Sequence, residues 1–516
     1  MAQTAQSPPP LAGGTLALAT VALSLATFMN VLDTTIANVS IPTIAGDLGV
    51  SPSQGTWVIT SFAVANAISV PLTGWLTQRI GQVRLFVGSV VLFVLASLLC
   101  GMSSSLEMLI AARVLQGAVA GPMIPLSQAL LLQCFPREKS GMALAMWGMT
   151  TMVAPVLGPI LGGWISDNYS WPWIFYINVP VGLGAAWLTW RMLKTRESAT
   201  RKLPIDRIGL GLLVVGVGAL QIMLDKGREL DWFASGEIVM LSVVALVALS
   251  FFVVWELTER HPVVDLTLFK SRNFAVGAIS LSIAYGLFFS IVVVMPLWLQ
   301  QYMGYTATWA GIVTAPIGIL ALLLSPIVGR IMPHTDPRLL VSFAFVVFAI
   351  TAFMRANYNT DADMMTLVWP QLIQGAAMAT FFVPLTAVTL SGLAPERIPA
   401  AAGLSNFLRI MVGAFGTSIS TTLWDTRAAM HHAHLGEQIT AYDANTTEAL
   451  RGMAALGLSP QQAMAALEQQ LNKQAFMLSA IDLFWVVGVL FLTLTLVIWV
   501  SRPNRNTPDA GVDGAH

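Results

Sequence analysis

The chain has 516 residues, 56% of them hydrophobic and only 10% charged, whereas charged residues make up about 25% of a typical soluble domain. Lys plus Arg and Asp plus Glu both number 26, so the charge balance offers neither a basic surface for nucleic acid nor an acidic tail. The two cysteines are too few for a disulfide framework or a cysteine-based metal site. The composition predicts an integral membrane protein.

Apolar stretches recur along the whole chain, and one of about 20 residues can cross a hydrocarbon layer of about 30 Å. No Lys or Arg precedes the first stretch, so we interpret it as a retained helix and not as a secretory signal. An all-α polytopic membrane protein with 14 transmembrane helices is predicted, at residues 15–41, 53–76, 84–102, 106–132, 140–163, 171–192, 207–225, 236–256, 274–299, 308–332, 338–355, 363–390, 398–424 and 476–500.

Basic residues collect in alternate connections between these spans, as they do in cytoplasmic loops. With the N-terminus inside, 18 of the 26 fall at inside loops or adjoining helix ends and six fall outside, while Arg113 and Arg409 lie within spans. An even number of spans then places both termini in the cytoplasm.

The sequence also repeats itself at an offset of 252 to 259 residues. Four groups recur in order: Thr-Trp at 56 and 308 with a following Pro and Gly, Gln-Gly at 116 and 374, Pro at 136 and 395, and Gly at 158 and 416. Parallel six-helix repeats are typical of large rocking transporters. We therefore predict six-helix bundles at 15–192 and 274–500, a linker with two additional spans at 193–273, and cytoplasmic tails at 1–14 and 501–516.

Asp33 lies inside the first span, where an ionised carboxylate costs about 2.5 to 3.5 kcal/mol. Thr27, Asn30, Thr34 and Asn38 follow the helical spacing and form a polar stripe beside it. We expect this stripe to face a water-filled cavity and Asp33 to take up and release a proton. A purely structural hydrogen bond to a neighbouring helix is the alternative.

Two arginines within spans are the candidate partners. Arg113 lies at the same depth as Asp33, about 10 Å below the outer surface at about 1.5 Å of rise per residue, so the two can form either a working pair or a permanent structural one. Arg409 has no acid at its depth in the second repeat, and it either faces the cavity or is held by structural hydrogen bonds. The predicted substrate-cavity residues are Asn30, Thr34, Asn38, Gln116, Asn406 and Arg409.

Two further segments carry local signals. The fifth span contains "GPILGG", whose proline and small residues suit a hinge and a tight seal, or ordinary close packing. In the outer loop at 425–475, Ser459 as N-cap, Pro460 and Gln462 predict a short amphipathic helix. That helix rests on the bilayer or the protein, or forms a docking surface for a partner. No metal site is predicted for the nearby "MHHAH", because no carboxylate or cysteine set accompanies it.

Several motifs together resemble the series of the major facilitator superfamily: "LDTTIANVSIP", "GWLTQRIGQVRLF", "RVLQGAVAG", "APVLGPILGGWI" and "WPWIFYINVPVG". The chain looks like the fourteen-helix drug:proton antiporter branch and is similar to the EmrB-type multidrug exporters over nearly its whole length. The resemblance implies a multi-pass pump of the bacterial inner (plasma) membrane. It also implies that the proton gradient drives export of amphipathic drugs, with no cofactor, together with a periplasmic membrane-fusion adaptor and an outer-membrane channel.

The same resemblance assigns residue roles. It implies proton coupling for Asp33 and Arg113, an antiporter motif at Gly158, Pro159, Gly162 and Gly163, and a cytoplasmic gate loop at Gly74, Arg79, Gly81 and Arg84. The loop departs from the family pattern because Gln78 stands where an acidic residue is usual and Val83 stands at a basic position.

The predicted function is therefore proton-coupled export by alternating access. No Gly-Lys dipeptide occurs, so a phosphate-binding loop of the ATP-driven kind is not expected. A proton-linked importer or symporter with the same fold is the alternative. An intramembrane hydrolase would need a nucleophile or metal motif that the sequence does not show, and a channel or docking protein would keep its activity in Asp33→Asn.

Overall fold

The computed structural model describes residues 11–136, 140–200, 206–227, 229–259, 262–393, 397–440 and 442–502. In these segments the regular structure is entirely helical. The α-helices are α1 Gly13–Asp47, α2 Pro52–Gly55, α3 Trp57–Ile80, α4 Gln82–Gly101, α5 Leu106–Ala120, α6 Met123–Cys134, α7 Ser140–Asn168, α8 Trp173–Tyr176, α9 Asn178–Leu193, α10 Arg207–Lys226, α11 Gly236–Thr258, α12 Arg272–Gln301, α13 Ala307–Thr314, α14 Ile317–Ile331, α15 Pro337–Arg355, α16 Met364–Leu390, α17 Ile398–Gln438, α18 Ala444–Ala455 and α19 Pro460–Ile498.

Each of the fourteen predicted spans falls on one helix or on two consecutive helices. Within the described segments, eleven helical stretches are long and apolar enough to cross a membrane, and the remaining predicted spans lie on α7, on α8 with α9, and on α17. Successive spans alternate in direction. We call the side where α1 begins the near face and the side where it ends the far face.

The repeat predicted from the sequence is confirmed by equivalent helix crossings in the first half (α1–α9) and the second half (α12–α19). A Cβ on Gly117 would clash with the carbonyl oxygen of Phe62 in α3, and one on Gly375 would clash with that of Ile317 in α14. Likewise, Gly158 presses α7 against α1, and Gly416 presses α17 against α12. Small residues at these positions let the helix backbones approach closely, and each half uses them in the same way.

The two inserted helices pack on the seam where the halves meet. Leu213 and Val217 of α10 and Phe252 of α11 share one apolar cluster with Val64 of α3 and Phe407 of α17. Because α3 and α17 belong to different halves, α10 contacts both halves at once.

The segment 425–475, predicted as a loop with a short helix, is mostly helical. The capping box at Ser459 and Gln462 is present, but the helix that it starts continues without a break to Ile498. Its polar first turns contain no Gly or Pro that would end them. Residues 425–438 of α17 likewise continue the span by about 21 Å. The far ends of α17 and α19 therefore form a helical hairpin beyond the predicted spans.

Arg355, which the charge count places in an outer loop, is fully buried at the end of α15. Its Nη1 donates to the carbonyl oxygen of Thr351 at 3.2 Å, and its Nη2 donates to the side-chain oxygens of Gln371 and Gln374. No carboxylate of the described segments pairs with it. The carbonyl end of α15 supplies the partial negative charge that favours a cation there.

Candidate functional site

A buried ion pair lies at the centre of the first half. Arg113 Nη1 of α5 is 2.6 Å from Asp33 Oδ2 of α1, and the two side chains are 1% and 0% exposed. The pair follows from the sequence because both residues occupy the same depth on helices of opposite direction. Removing one partner of such a pair leaves an uncompensated buried charge, which costs about 3–5 kcal/mol.

The other carboxylate oxygen is held by amides. Asp33 Oδ1 accepts from Asn178 Nδ2 of α9 at 2.7 Å and from Gln116 Nε2 of α5 at 3.1 Å. Ser97 of α4 joins the group, because its hydroxyl accepts from Asn178 at 2.9 Å and from Gln116 at 3.3 Å. Both oxygens of the carboxylate are thus hydrogen-bonded by residues of α5 and α9, and Ser97 of α4 in turn accepts from two of these donors.

The guanidinium of Arg113 is equally enclosed. Its Nε donates to the carbonyl oxygen of Val58 in α3 at 2.8 Å, and its Nη1 also donates to Gln116 Oε1 at 2.6 Å. The ring of Phe62 lies 4.2 Å and the ring of Phe175 5.5 Å from its central carbon. Aromatic faces attract a cation in an apolar setting, so the charge pair is stabilised on both partners and shielded from water.

The expectation that Asp33 faces a water-filled cavity is wrong for this conformation. The side of α1 that carries the polar stripe packs against the rest of the first half: Thr27 donates to Ser127 of α6 at 2.8 Å, and Asn30 donates to the carbonyl oxygen of Ala120 at 3.4 Å. At Thr27 and at the amide nitrogen of Asn30, hydrogen bonds between helices take the place of water, whereas the side-chain polar atoms of Asn38 are buried without a partner among the described residues. Proton exchange at Asp33 therefore requires helix movement.

The six predicted cavity residues are not brought together. Gln116 is fully buried in the group around Asp33, and Asn30 and Asn38 are buried as well. Thr34 is half-buried and donates to the carbonyl oxygen of its own helix at Val31. The placement of Gln116, Asn30 and Asn38 on a cavity wall is thus wrong in this conformation, because helix packing covers them.

Arg409 and Asn406 form a separate pair in the second half. Arg409 Nη2 donates to Asn406 Oδ1 at 3.1 Å, and its guanidinium carbon lies 4.6 Å from the ring of Tyr285 and 5.6 Å from the ring of Phe382. Both residues are half-buried, and no carboxylate of the described segments makes a salt bridge with this arginine. A cation that rests on two aromatic rings can bind an anionic or an aromatic group.

The "GPILGG" segment of α7 is the point where three helices meet. Gly158 and Gly162 lie against Thr35 and Ile36 of α1. On the other side, Gly163 lies against the carbonyl oxygen of Ala307 in α13, and the carbonyl oxygen of Pro159 lies against Gly311 of α13. The motif therefore packs α7 simultaneously on its own half and on the opposite half.

Hydrogen bonds close the far face beside this motif. Gln300 Nε2 of α12 donates to the carbonyl oxygen of Val39 at 2.9 Å, and the backbone N–H of Thr308 donates to Asp167 Oδ2 at 2.7 Å. Val39 is buried in the apolar cluster of the second half. In this conformation the two halves are joined at the far face.

At the near face, Glu197 lies at the start of α4. Its carboxylate accepts from the backbone N–H groups of Val83 and Arg84, both at 2.9 Å, and Ser198 Oγ accepts from that of Gln82 at 3.0 Å. These are the first, otherwise unpaired donors of α4.

The other residues of the predicted gate loop surround this contact. Gly81 has φ +100°, and a Cβ there would clash with the Glu197 carboxylate. Arg84 Nε lies 3.9 Å from Glu197 Oε2, Arg79 lies over the ring of Trp75, and Gly74 is exposed with no close neighbour. The loop between α3 and α4 is thus joined to the segment that follows α9.

We expect Glu197→Ala to lower the free energy of unfolding by about 1 kcal/mol, because the N-terminus of α4 loses an anionic hydrogen-bond acceptor. Thermal unfolding of the purified protein in detergent measures this. Glu197→Gln keeps an acceptor oxygen and should lose less. A melting temperature equal to that of the unmodified protein in Glu197→Ala would show that the contact has no stabilising effect.

Sequence reasoning missed some members of these sites. Asn178 and Ser97 are polar residues within apolar segments, a signal that could have placed them near Asp33. The contacts of Asp482 with α17 were also missed. Arg427 Nε and His431 Nε2 both lie 2.7 Å from Asp482 Oδ2. That arrangement follows from the helical extension of α17, which the sequence did not reveal.

Comparison with known proteins agrees with the fold and the motifs. Residues 23–417 match the model of the Major Facilitator Superfamily. The chain is 53% identical over 512 residues to the multidrug export protein EmrB of Escherichia coli strain K12, covering 99% of this chain and 100% of that one. It is 51% identical over 503 residues to the fatty acid resistance protein FarB of Neisseria gonorrhoeae, covering 98% and 99%.

A solved structure shows the same fold at low sequence identity. The bacterial homolog of the human lysosomal transporter Spinster, in its inward-facing and unoccupied conformation, matches with a TM-score of 0.61 and 14% identity, covering 95% of this chain and 98% of that one. The family resemblance that the motifs predicted is confirmed by these matches. This multi-pass membrane protein belongs to the Major Facilitator Superfamily.

Proposed function

We propose that this protein exports amphipathic toxic compounds, including drugs, across the bacterial inner membrane in exchange for protons. The near face is then cytoplasmic and the far face periplasmic. The observation that carries the proposal is the Asp33–Arg113 pair, fully buried in a bundle of membrane-spanning helices. The printed names of the relatives, one a multidrug export protein and one a fatty acid resistance protein, support apolar or amphipathic cargo.

Helix α1 connects the proton site with the far-face seam. Val39, whose carbonyl oxygen accepts from Gln300 of the second half, lies six residues after Asp33 on the same helix, about 9 Å along its axis. The side of α1 that contains Ile36 also packs on the "GPILGG" segment. A shift of α1 that frees Asp33 from its amide partners therefore also disturbs the seam.

The proposed cycle uses this connection. With the far face open, Asp33 takes a proton from the periplasm, its attraction to Arg113 weakens, and drug leaves. The halves rock, and release of the proton to the cytoplasm restores the ion pair and the closed far face seen here. Exchange is driven because the two conformations differ in affinity for both proton and drug.

We also propose that the protein is the pump of a tripartite system with a periplasmic adaptor and an outer-membrane channel. The far-face hairpin of α17 and α19, with α18 between them, supports this assignment. It presents exposed apolar side chains at Tyr442, Leu456 and Met464, which offer contact surface to a partner protein.

Transport in membrane vesicles tests the direction. Inside-out vesicles with an acidified lumen should accumulate a fluorescent amphipathic drug, because the lumen then corresponds to the periplasm. Collapse of the pH gradient by a protonophore should stop accumulation. In right-side-out vesicles the periplasmic side is the external medium, and acid is therefore added outside. Uptake of solute into these vesicles would identify an importer and contradict the proposal.

A further inference from the structure

We propose that Asp225, in the first inserted helix, is a second proton-binding carboxylate, and that its ionised form latches the two halves together at the far face. This assignment rests on the proposed proton-coupled function. It gives the inserted helices α10 and α11 a role that neither six-helix half can supply alone.

The carboxylate contacts the first half directly. Asp225 is the second-last residue of α10, and its Oδ2 accepts from Thr60 Oγ1 of α3 at 3.3 Å. Thr60 is fully buried and lies in the first turn of α3, which begins at the far face. Asp225 itself is half-buried and lies at the far end of α10.

The same oxygen reaches the second half through one amide. Gln221 Nε2, one turn earlier on α10, donates to Asp225 Oδ2 at 2.8 Å and to Ser418 Oγ of α17 at 2.5 Å. Thr422 of α17 adds a contact to the carbonyl oxygen of Leu224 at 3.5 Å. The carboxylate therefore belongs to a hydrogen-bonded chain from Thr60 of α3 through Gln221 to Ser418 of α17. It adds to the apolar contacts between α3 and α17, which belong to opposite halves and must separate when the far face opens.

The charges around Asp225 differ from those around Asp33. The charged neighbour that acts on it is another acid, Glu229, while Lys226 lies 3.9 Å from Glu237. Among the described residues no arginine or lysine forms a salt bridge with Asp225. Within the described segments, the groups that balance its charge are hydroxyl and amide dipoles, and partial burial of such a charge is unfavourable. Proton binding relieves this cost.

Protonation changes the hydrogen bonding of the latch. The ionised carboxylate accepts from Thr60 and Gln221 together, whereas the protonated group carries one O–H donor and offers less acceptor capacity. Hydrogen bonds to a charged group are also stronger than those to a neutral one. Acid on the far side therefore loosens the seam, as expected for a transporter that opens outward to receive protons.

The opening of the far face is measured by chemical labelling of a cysteine that is buried when the two halves are joined. In a background of Asp33→Asn with Arg113→Gln, which has lost the first proton site, a cysteine is placed by Val39→Cys, and both native cysteines are replaced by alanine. Labelling by a membrane-impermeant maleimide is quenched at timed intervals after exposure to each far-side pH. The effect of pH on the reaction between a cysteine thiol and the maleimide is measured separately on the exposed variant Tyr442→Cys, and the labelling rates are corrected for it.

In this background we expect the calibrated labelling of Val39→Cys to rise as the far-side pH falls. Addition of Asp225→Asn should raise labelling at neutral pH by about tenfold, because hydrogen bonds worth about 1.4 kcal/mol in total are weakened, and should abolish the pH response. The exposed acid variant Glu237→Gln is the control and should keep the response. Persistence of the same pH response in Asp225→Asn, or its absence from the starting background, would overturn the assignment.

The test of the latch and the test of the proposed function can fail independently of each other. Failure of drug export in vesicles would refute proton-coupled transport whatever the labelling shows. Intact drug export by the unmodified protein, together with a pH response of labelling that persists in Asp225→Asn, would refute only the latch. Asp225→Glu, which keeps the charge, should retain a pH response and so distinguishes loss of the carboxylate from a general loosening of α10.

Discussion

Asp33→Asn is expected to reduce drug-driven proton flux to the level of vesicles without the protein. The substitution keeps the shape of the side chain but removes the group that binds the proton, and it leaves Arg113 buried without a counter-charge. We also expect the free energy of unfolding to fall by about 3–5 kcal/mol. Proton flux is followed by a pH indicator in the vesicle lumen after drug addition.

The double variant Asp33→Asn with Arg113→Gln separates chemistry from stability. It removes both charges, and replacement of a whole buried pair by neutral groups is often tolerated, so much of the lost melting temperature should return. Transport should not return, because no proton-binding group has been restored. Recovery of coupled transport in the double variant would show that Asp33 is a structural residue.

Gly163→Ala is expected to open the far face. The added Cβ would clash with the backbone carbonyl of Ala307 in the opposite half, and overpacking of this kind costs about 1–3 kcal/mol. The cost falls only on conformations in which the far face is closed, so the population shifts towards the open state by about fivefold to about a hundredfold. Maleimide labelling of Val39→Cys should rise accordingly, and export should slow because closure is impaired.

A matched glycine provides the control for this prediction. Gly184 lies in α9 of the same half, and a Cβ there would meet no atom within 4 Å. Gly184→Ala should leave both labelling and export unchanged. Equal labelling in the two variants would mean that the contact between Gly163 and Ala307 does not hold the far face closed.

The sequence predicted most of the fold because membrane spans have a strong signal. Long apolar stretches determine where the helices lie, and the recurring glycines determine how neighbouring helices cross. The segment 425–475 was not predicted correctly, because polar helices outside the membrane lack the apolar length that identifies a span. Polar stretches rich in helix-forming residues extend α17 and α19 there, with Pro460 only at the first position of α19 and Gly436 only in the last turn of α17.

The candidate site was predictable in part. The contact between Asp33 and Arg113 was predictable, because the fixed rise per residue of a helix places both residues at the same depth in the membrane. The rotation of α1 was not predictable, so the polar stripe was assigned to a cavity although it packs against α5 and α6. Glu197 was missed because it lies 113 residues after Arg84, and only the folded chain brings its carboxylate to the start of α4.

The two repeats also differ where the sequence suggests equivalence. Gln116 and Gln374 are repeat partners, and each accepts from a buried arginine. In the first half the arginine is Arg113, which Asp33 neutralises, whereas in the second half it is Arg355, which comes from the preceding helix α15. The repeat conserves the packing of the bundle, but the buried carboxylate that we propose to bind the proton, Asp33, lies in the first half.

Proton release on drug binding tests the central claim most directly. Purified protein in weakly buffered detergent solution, at a pH where the proton site is loaded, is mixed with a saturating amphipathic drug while a pH indicator is monitored. We predict that the unmodified protein releases protons and that the double variant Asp33→Asn with Arg113→Gln binds drug without this release. Equal proton release from both proteins would contradict the assignment of Asp33 as the group that links proton movement to export.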